Sequence, residues 1–142
     1  MSETIIVDTD QVLTGTTRYQ LVVLSGATAT IMGKHQGGAN VRQGGRIEIP
    51  GKLQGSMTID DGAEVYVTGD LQGSVSILAG GLLVIEPNGR VCGSLSNWGE
   101  VVNRGLRAGA VTGNEPSDEG GQVLQPTSIS ADGTRTYMMP PR

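Results

Sequence analysis

Four kinds of side chain in this sequence could do chemistry: one histidine, one cysteine, a short run of carboxylates, and a tryptophan set among polar groups. His35 is the sole histidine, and the chemistry it offers is that of a general base. No serine or cysteine partner can be set beside it by spacing, so the expectation is a loop or corner histidine. Cys92, the sole cysteine, excludes a disulfide within the chain. It offers a nucleophile or a redox thiol, but with no metal-ligand neighbour it reads as an ordinary outward-facing substitution. Asp60, Asp61, Glu64 and Asp70 read as a solvated acidic face, with weak cation binding as the alternative. The dense GGxGxDx phrase of calcium-binding coils is missing. GLLVIEPNG (81–89) lacks the lysine and the glycine spacing of a phosphate loop. NWGEVVNRG (97–105) places Trp98 among Asn97, Glu100, Asn103 and Arg104, a candidate interface. Trp98 either anchors a contact surface or closes the last rung as a hydrophobic plug. No catalytic, metal-ligating or cofactor-binding residue emerges, and the expectation is a protein that is not an enzyme and uses no cofactor.

The elements that position these residues are announced by a repeat. Stepping by six from Val41 gives Val41, Ile47, Leu53, Ile59, Val65, Leu71, Ile77 and Leu83, all aliphatic. Val, Ile and Leu make up 34 of the 142 residues, too few for eight successive hits by chance. Ile49, Met57, Ala63, Val67, Val75 and Ile85, two residues from these, supply the alternation of short strands. Three sixes make 18, the interval at which LQGS recurs at 53–56 and 71–74. The chain therefore divides into rungs at 39–56, 57–74 and 75–94, the third longer by two residues around Glu86–Gly89, with 21–38 as a looser earlier rung.

A period near 20 marks a solenoid. The expected fold is all-β: a single-stranded parallel β-helix, three-sided, with about 18 residues per rung and about five to six rungs. Like residues then stack: Val41 on Ile59 on Ile77, Ile47 on Val65 on Leu83, Leu53 on Leu71. In LQGS the leucine points in, the glutamine points out and can form an amide ladder, the glycine turns the corner, and the serine begins the next side. A core built from Leu, Ile and Val explains a chain with no Phe, and frequent corners explain 23 glycines. After residue 86 two registers compete. Strict sixes lead to Leu95 and Val101. Keeping the Gly-Ser corner instead sets Val91 on Leu71 and Asn97 on Ile77, with Asn97 and Asn103 inward as stacked amides, and is preferred.

Residues 1–20 read as an N-terminal strand or cap, starting at TIIVD (4–8), and 21–110 as the solenoid domain. Residues 111–142 hold four of the six prolines and lose the six-step pattern. They are either a flexible tail or, through QVLQPTSIS and TYMMP, a segment packed on the solenoid flank or its last rung. The net charge of −4 and scattered basic residues argue against nucleic-acid binding. No stretch reaches the roughly 18 apolar residues of a membrane span. A secretory signal is not recognisable, and a cytoplasmic location is expected, with peripheral association at the inner membrane as a variant.

The phrase IEIPGKLQGSMTIDDGAEVYVTGDLQGSVSI resembles the bactofilins, polymer-forming cytoskeletal proteins of bacteria, over roughly residues 39–95. The resemblance implies a right-handed, three-sided β-helix flanked by tails, joining end to end into filaments without nucleotide. The sequence departs from the family in its irregular end rungs and in having Trp98 but no Phe near the coil end. The hexapeptide acyltransferases, left-handed coils, also step by six. They set a small residue after each inward aliphatic, where this chain has Arg42, Glu48, Gln54, Asp60, Tyr66, Gln72, Leu78 and Val84. Three functions follow in order: a self-assembling structural subunit; a binding module for one protein partner, such as a toxin-neutralising immunity protein, its acidity suiting a basic partner; and, last, an acyltransferase.

Overall fold

The computed structural model of the chain describes residues 4–124, together with 128–129, 131 and 135–136. It is an all-β, three-sided parallel solenoid of about seven turns, more than the five to six rungs expected, because regular pairing reaches into both ends. The first wall stacks Thr4–Val7, Gln20–Val23, Ala39–Val41, Met57–Ile59, Val75–Ile77, Leu95–Asn97 and Val111–Gly113. The second stacks Gln11–Leu13, Thr28–Ile31, Arg46–Ile49, Glu64–Val67, Leu82–Ile85 and Glu100–Asn103. The third stacks Thr16–Thr17, Lys34–His35, Lys52–Gln54, Asp70–Gln72, Arg90–Cys92, Leu106–Ala108 and Gln122–Leu124. Residues 4–17 thus supply the first coil, and strands continue past residue 110. Ser128–Ile129 and Arg135–Thr136 pair antiparallel. Of the tail, Val111–Gly113 and Gln122–Leu124 extend the first and third walls, while residues 137–140 of the TYMMP cluster lie outside the described residues.

All eight residues of the six-step series are fully buried, at 0% exposure. Their registers are those expected: Val41, Ile59 and Ile77 in one column, Ile47, Val65 and Leu83 in a second, Leu53, Leu71 and Val91 in a third. Each such side chain contributes roughly 1.5–3 kcal/mol of burial, and the parallel strands that carry them pair their backbones with the coils above and below. The glutamine ladder is present and one member longer than LQGS suggested. Gln36 Nε2 donates to Gln54 Oε1 at 3.3 Å, and Gln54 Nε2 to Gln72 Oε1 at 3.0 Å.

The repeat is regular on one wall and adjusted on the others. Second-wall partners are 18 residues apart throughout: Thr28 with Arg46, Arg46 with Glu64, Glu64 with Leu82, Leu82 with Glu100. The extra residues of the third rung form the Glu86–Gly89 corner, so Asp70 pairs with Arg90, twenty residues on. The corner Trp98–Gly99 is two residues shorter than its predecessor Leu78–Gly81 and restores the second-wall spacing. Val91 therefore lies on Leu71 and Asn97 on Ile77, as the preferred register requires, while Leu95 and Val101 are also buried.

The buried asparagines do not form the expected amide stack. Asn97 and Asn103 sit on different walls, each fully buried at the head of a two-residue corner. Asn97 Oδ1 accepts the Gly99 N–H at 3.1 Å, and Asn103 Oδ1 accepts the Gly105 N–H at 3.1 Å. In both cases the side chain bonds its own backbone two residues on and so closes a tight turn. Their amide nitrogens donate to the next coil: Asn97 to the Asn114 carbonyl at 3.0 Å, Asn103 to the Gln122 carbonyl at 3.0 Å and Asp118 Oδ1 at 2.9 Å.

Candidate functional site

The residues that could do chemistry are not brought together. His35 is a correction: it is a strand residue of the third wall, 0% exposed, not a corner residue. It pairs with Leu53, and so occupies the inward position that Leu71 and Val91 occupy above it. Nδ1 lies 2.6 Å from Thr17 Oγ1 and Nε2 lies 3.2 Å from the Gly38 carbonyl. A carbonyl can only accept, so Nε2 carries a proton there, and in the neutral ring Nδ1 then accepts from the threonine hydroxyl. Both ring nitrogens are thereby used within the core. Cys92 takes its expected place, half-buried beside Gln72 at the end of the glutamine ladder.

The four carboxylates occupy one rung but three sides of it. Asp60 and Asp61 are on the corner after the first wall, Glu64 on the second wall and Asp70 on the third. Asp60 lies 4.0 Å from Arg42. Among the described residues no group of three or more His, Cys, Asp or Glu is placed to hold a metal ion.

The second wall carries a cluster not singled out from sequence. The Arg46 guanidinium lies over the Tyr66 ring, 4.2 Å from its centroid. It bonds Glu48 Oε1 at 3.3 Å and lies 4.0 Å from Glu64 Oε1, which also accepts the Tyr66 hydroxyl at 2.9 Å. Partial burial, then that hydrogen bond to Glu64, hold the Tyr66 phenol above its ordinary pKa. The 18-residue register would have revealed this cluster, since it puts Arg46 beside Glu64 and Glu48 beside Tyr66.

The five candidate interface residues divide. Asn97 and Asn103 are interior; Trp98, Glu100 and Arg104 are exposed, Trp98 on one corner, Glu100 at the head of the second-wall strand that follows it and Arg104 on the next corner. Trp98 is 58% exposed, so it is not a plug for the last rung. It stands at the step where a four-residue corner gives way to a two-residue one, and lines an open groove with Glu64, Gly80, Gly81, Leu82 and Glu100. No family model matches the chain, and no curated protein or solved structure matches it.

The C-terminal end of the second wall is covered by residues 114–118. Asn103 N donates to the Ser117 carbonyl at 2.7 Å, and Ser117 N to the Val101 carbonyl at 2.8 Å. Arg107 holds this segment with a two-pronged bond to Asp118, Nε to Oδ1 at 2.9 Å and the terminal nitrogen to Oδ2 at 3.0 Å. The guanidinium, aided by the Asn103 amide and opposed by partial burial, keeps the Asp118 carboxyl below the usual carboxylate range. A lowered folded-state value means that the contribution is present above the unfolded pKa of about 3.9 and fades as pH falls through the folded one. Amide-exchange protection of Asn103 and Ser117 is therefore expected to drop at acid pH while the middle coils stay protected. Asp118→Asn should lower the protection at neutral pH and remove its acid dependence.

Proposed function

We propose that this chain is a non-enzymatic structural subunit of bactofilin type that associates with further copies by pairing coil edges at its ends, in the cytoplasm. The observation that carries the reading is the first coil. Thr4–Val7, Gln11–Leu13 and Thr16–Thr17 each pair with one strand among the described residues, on the side of the second coil. Three parallel edges are therefore offered at one end, flanked by Ile6 and Val12 at 59% and 60% exposure. Unpaired edges of this kind template another chain. The far end differs, because residues 114–118 occupy the second-wall edge. The sealed position of His35 weighs against an acyltransferase, whose general base must reach its substrate. No helix among the described residues is long and apolar enough to cross a membrane.

Light scattering on a sizing column and negative-stain micrographs test the reading. The wild type should run well above monomer mass, as filaments or closed oligomers. Ile6→Lys with Val12→Lys, charges that blunt an edge, should return it to monomer with an unchanged far-ultraviolet spectrum. A wild type that stays monomeric at high concentration overturns the proposal.

A further inference from the structure

The Trp98 groove is built by design of the backbone. Asn97 and Asn114 brace the two-residue corner, with Asn114 Nδ2 donating to the Gly99 carbonyl at 3.2 Å. Gly99 leaves no room for a methyl group, since an added Cβ would sit 2.5 Å from the Gly81 and Leu78 carbonyl oxygens. One side of the indole lies against Gly113, where an added Cβ would be 3.3 Å from Cε3. The ring is thus held at the corner while it lines the groove. Glu100 stands beside it with no partner among the described residues, and Glu64 lies two coils below in the same column.

The same wall shows what such a set of groups does. Arg46, Tyr66, Glu48 and Glu64 form an aromatic ring with two carboxylates and a guanidinium stacked upon it. Trp98 and Glu100 repeat the aromatic and one carboxylate with no cation among the described residues, whereas Glu64 already lies 4.0 Å from Arg46. Indole is the best of the aromatic faces for a cation, and a planar guanidinium can stack on it while donating to a carboxylate.

We propose that this groove takes an arginine side chain from a basic partner protein, its guanidinium stacked on Trp98 and paired with Glu100. A net charge of −4 favours a basic partner over a second copy of the chain. The site lies on the flank, so it does not depend on whether the coil ends assemble.

Trp98 is the only tryptophan, so its emission reports the groove directly. The probe is a short blocked peptide of alternating arginine and glycine at low salt, compared with the same peptide carrying neutral citrulline for arginine. The arginine peptide should give a saturable change in emission, and the citrulline peptide should bind about tenfold more weakly or less. Glu100→Gln should weaken the arginine peptide by about tenfold at an unchanged thermal midpoint, while Asp8→Asn, on an exposed residue at the far end, should leave it unaltered. Equal binding of the two peptides, no saturable response, or equal losses in Glu100→Gln and Asp8→Asn would overturn the assignment. So would an emission change that follows the concentration of the protein alone, which would place a second copy in the groove.

Discussion

Gly73→Ala is expected to destabilise the solenoid by about 4 kcal/mol, the sum of backbone strain and overpacking. Gly73 turns the corner of the second LQGS phrase at φ +131°, where a side chain is strained. A methyl group would also meet the Gly55 carbonyl oxygen below it, so the two coils would have to part. Gly62→Ala is the informative control. Its φ is +75°, but the nearest atom to an added Cβ is 3.6 Å away. The strain alone applies there, about 1–2 kcal/mol. Urea midpoints of the two variants should therefore separate clearly. Equal losses would mean that close stacking of coils is not what reserves position 73 for glycine.

Leu71→Ala should cost about 2–5 kcal/mol, at the upper end because its column cannot collapse. Leu71 is fully buried between Leu53 and Val91, and the strands that hold those neighbours are fixed by backbone pairing on both sides. His35→Leu, in the same column, should change stability by less than about 1 kcal/mol. The Gly38 carbonyl keeps its bond from Leu21 N at 2.9 Å, and half-buried Thr17 can turn its hydroxyl to water. Denaturant unfolding compares the two directly. A large loss in His35→Leu with a small one in Leu71→Ala would show that a polar link, not apolar stacking, secures this side of the tube.

The middle of the fold was legible because one rule applies there. From Val41 to Leu83 the walls and corners keep constant length, so type and spacing carry the whole register. The ends were less legible because the corners change length. Asn97 and Asn103 read as a ladder only while a column is assumed to continue. What they mark is an Asn-x-Gly phrase, NWG and NRG, that closes a corner in two residues. His35 reads as a loop or corner residue when judged by its lack of a serine or cysteine partner, although it lies one six-residue step before Val41, in phase with the inward positions. That position is tolerated because Thr17 and Gly38 satisfy both ring nitrogens. The Arg107–Asp118 pair had no signal at all, since residues 114–118 leave the repeat. The Trp98 groove arises from the difference between two successive corner lengths, which no single corner displays.

The constant second-wall spacing has a consequence for how such a molecule can change in size. Residues 57–74 sit between copies of their own geometry, so a tandem duplication of that segment would meet matching partners on either side. Each duplication would lengthen the rod by one strand spacing, about 4.8 Å. Insertions of other sizes would have to be hidden in a corner, as Glu86–Gly89 is, and would add width without adding length. The rod is in that sense a ruler marked only in whole units, adjustable by gene duplication but not by single-residue drift.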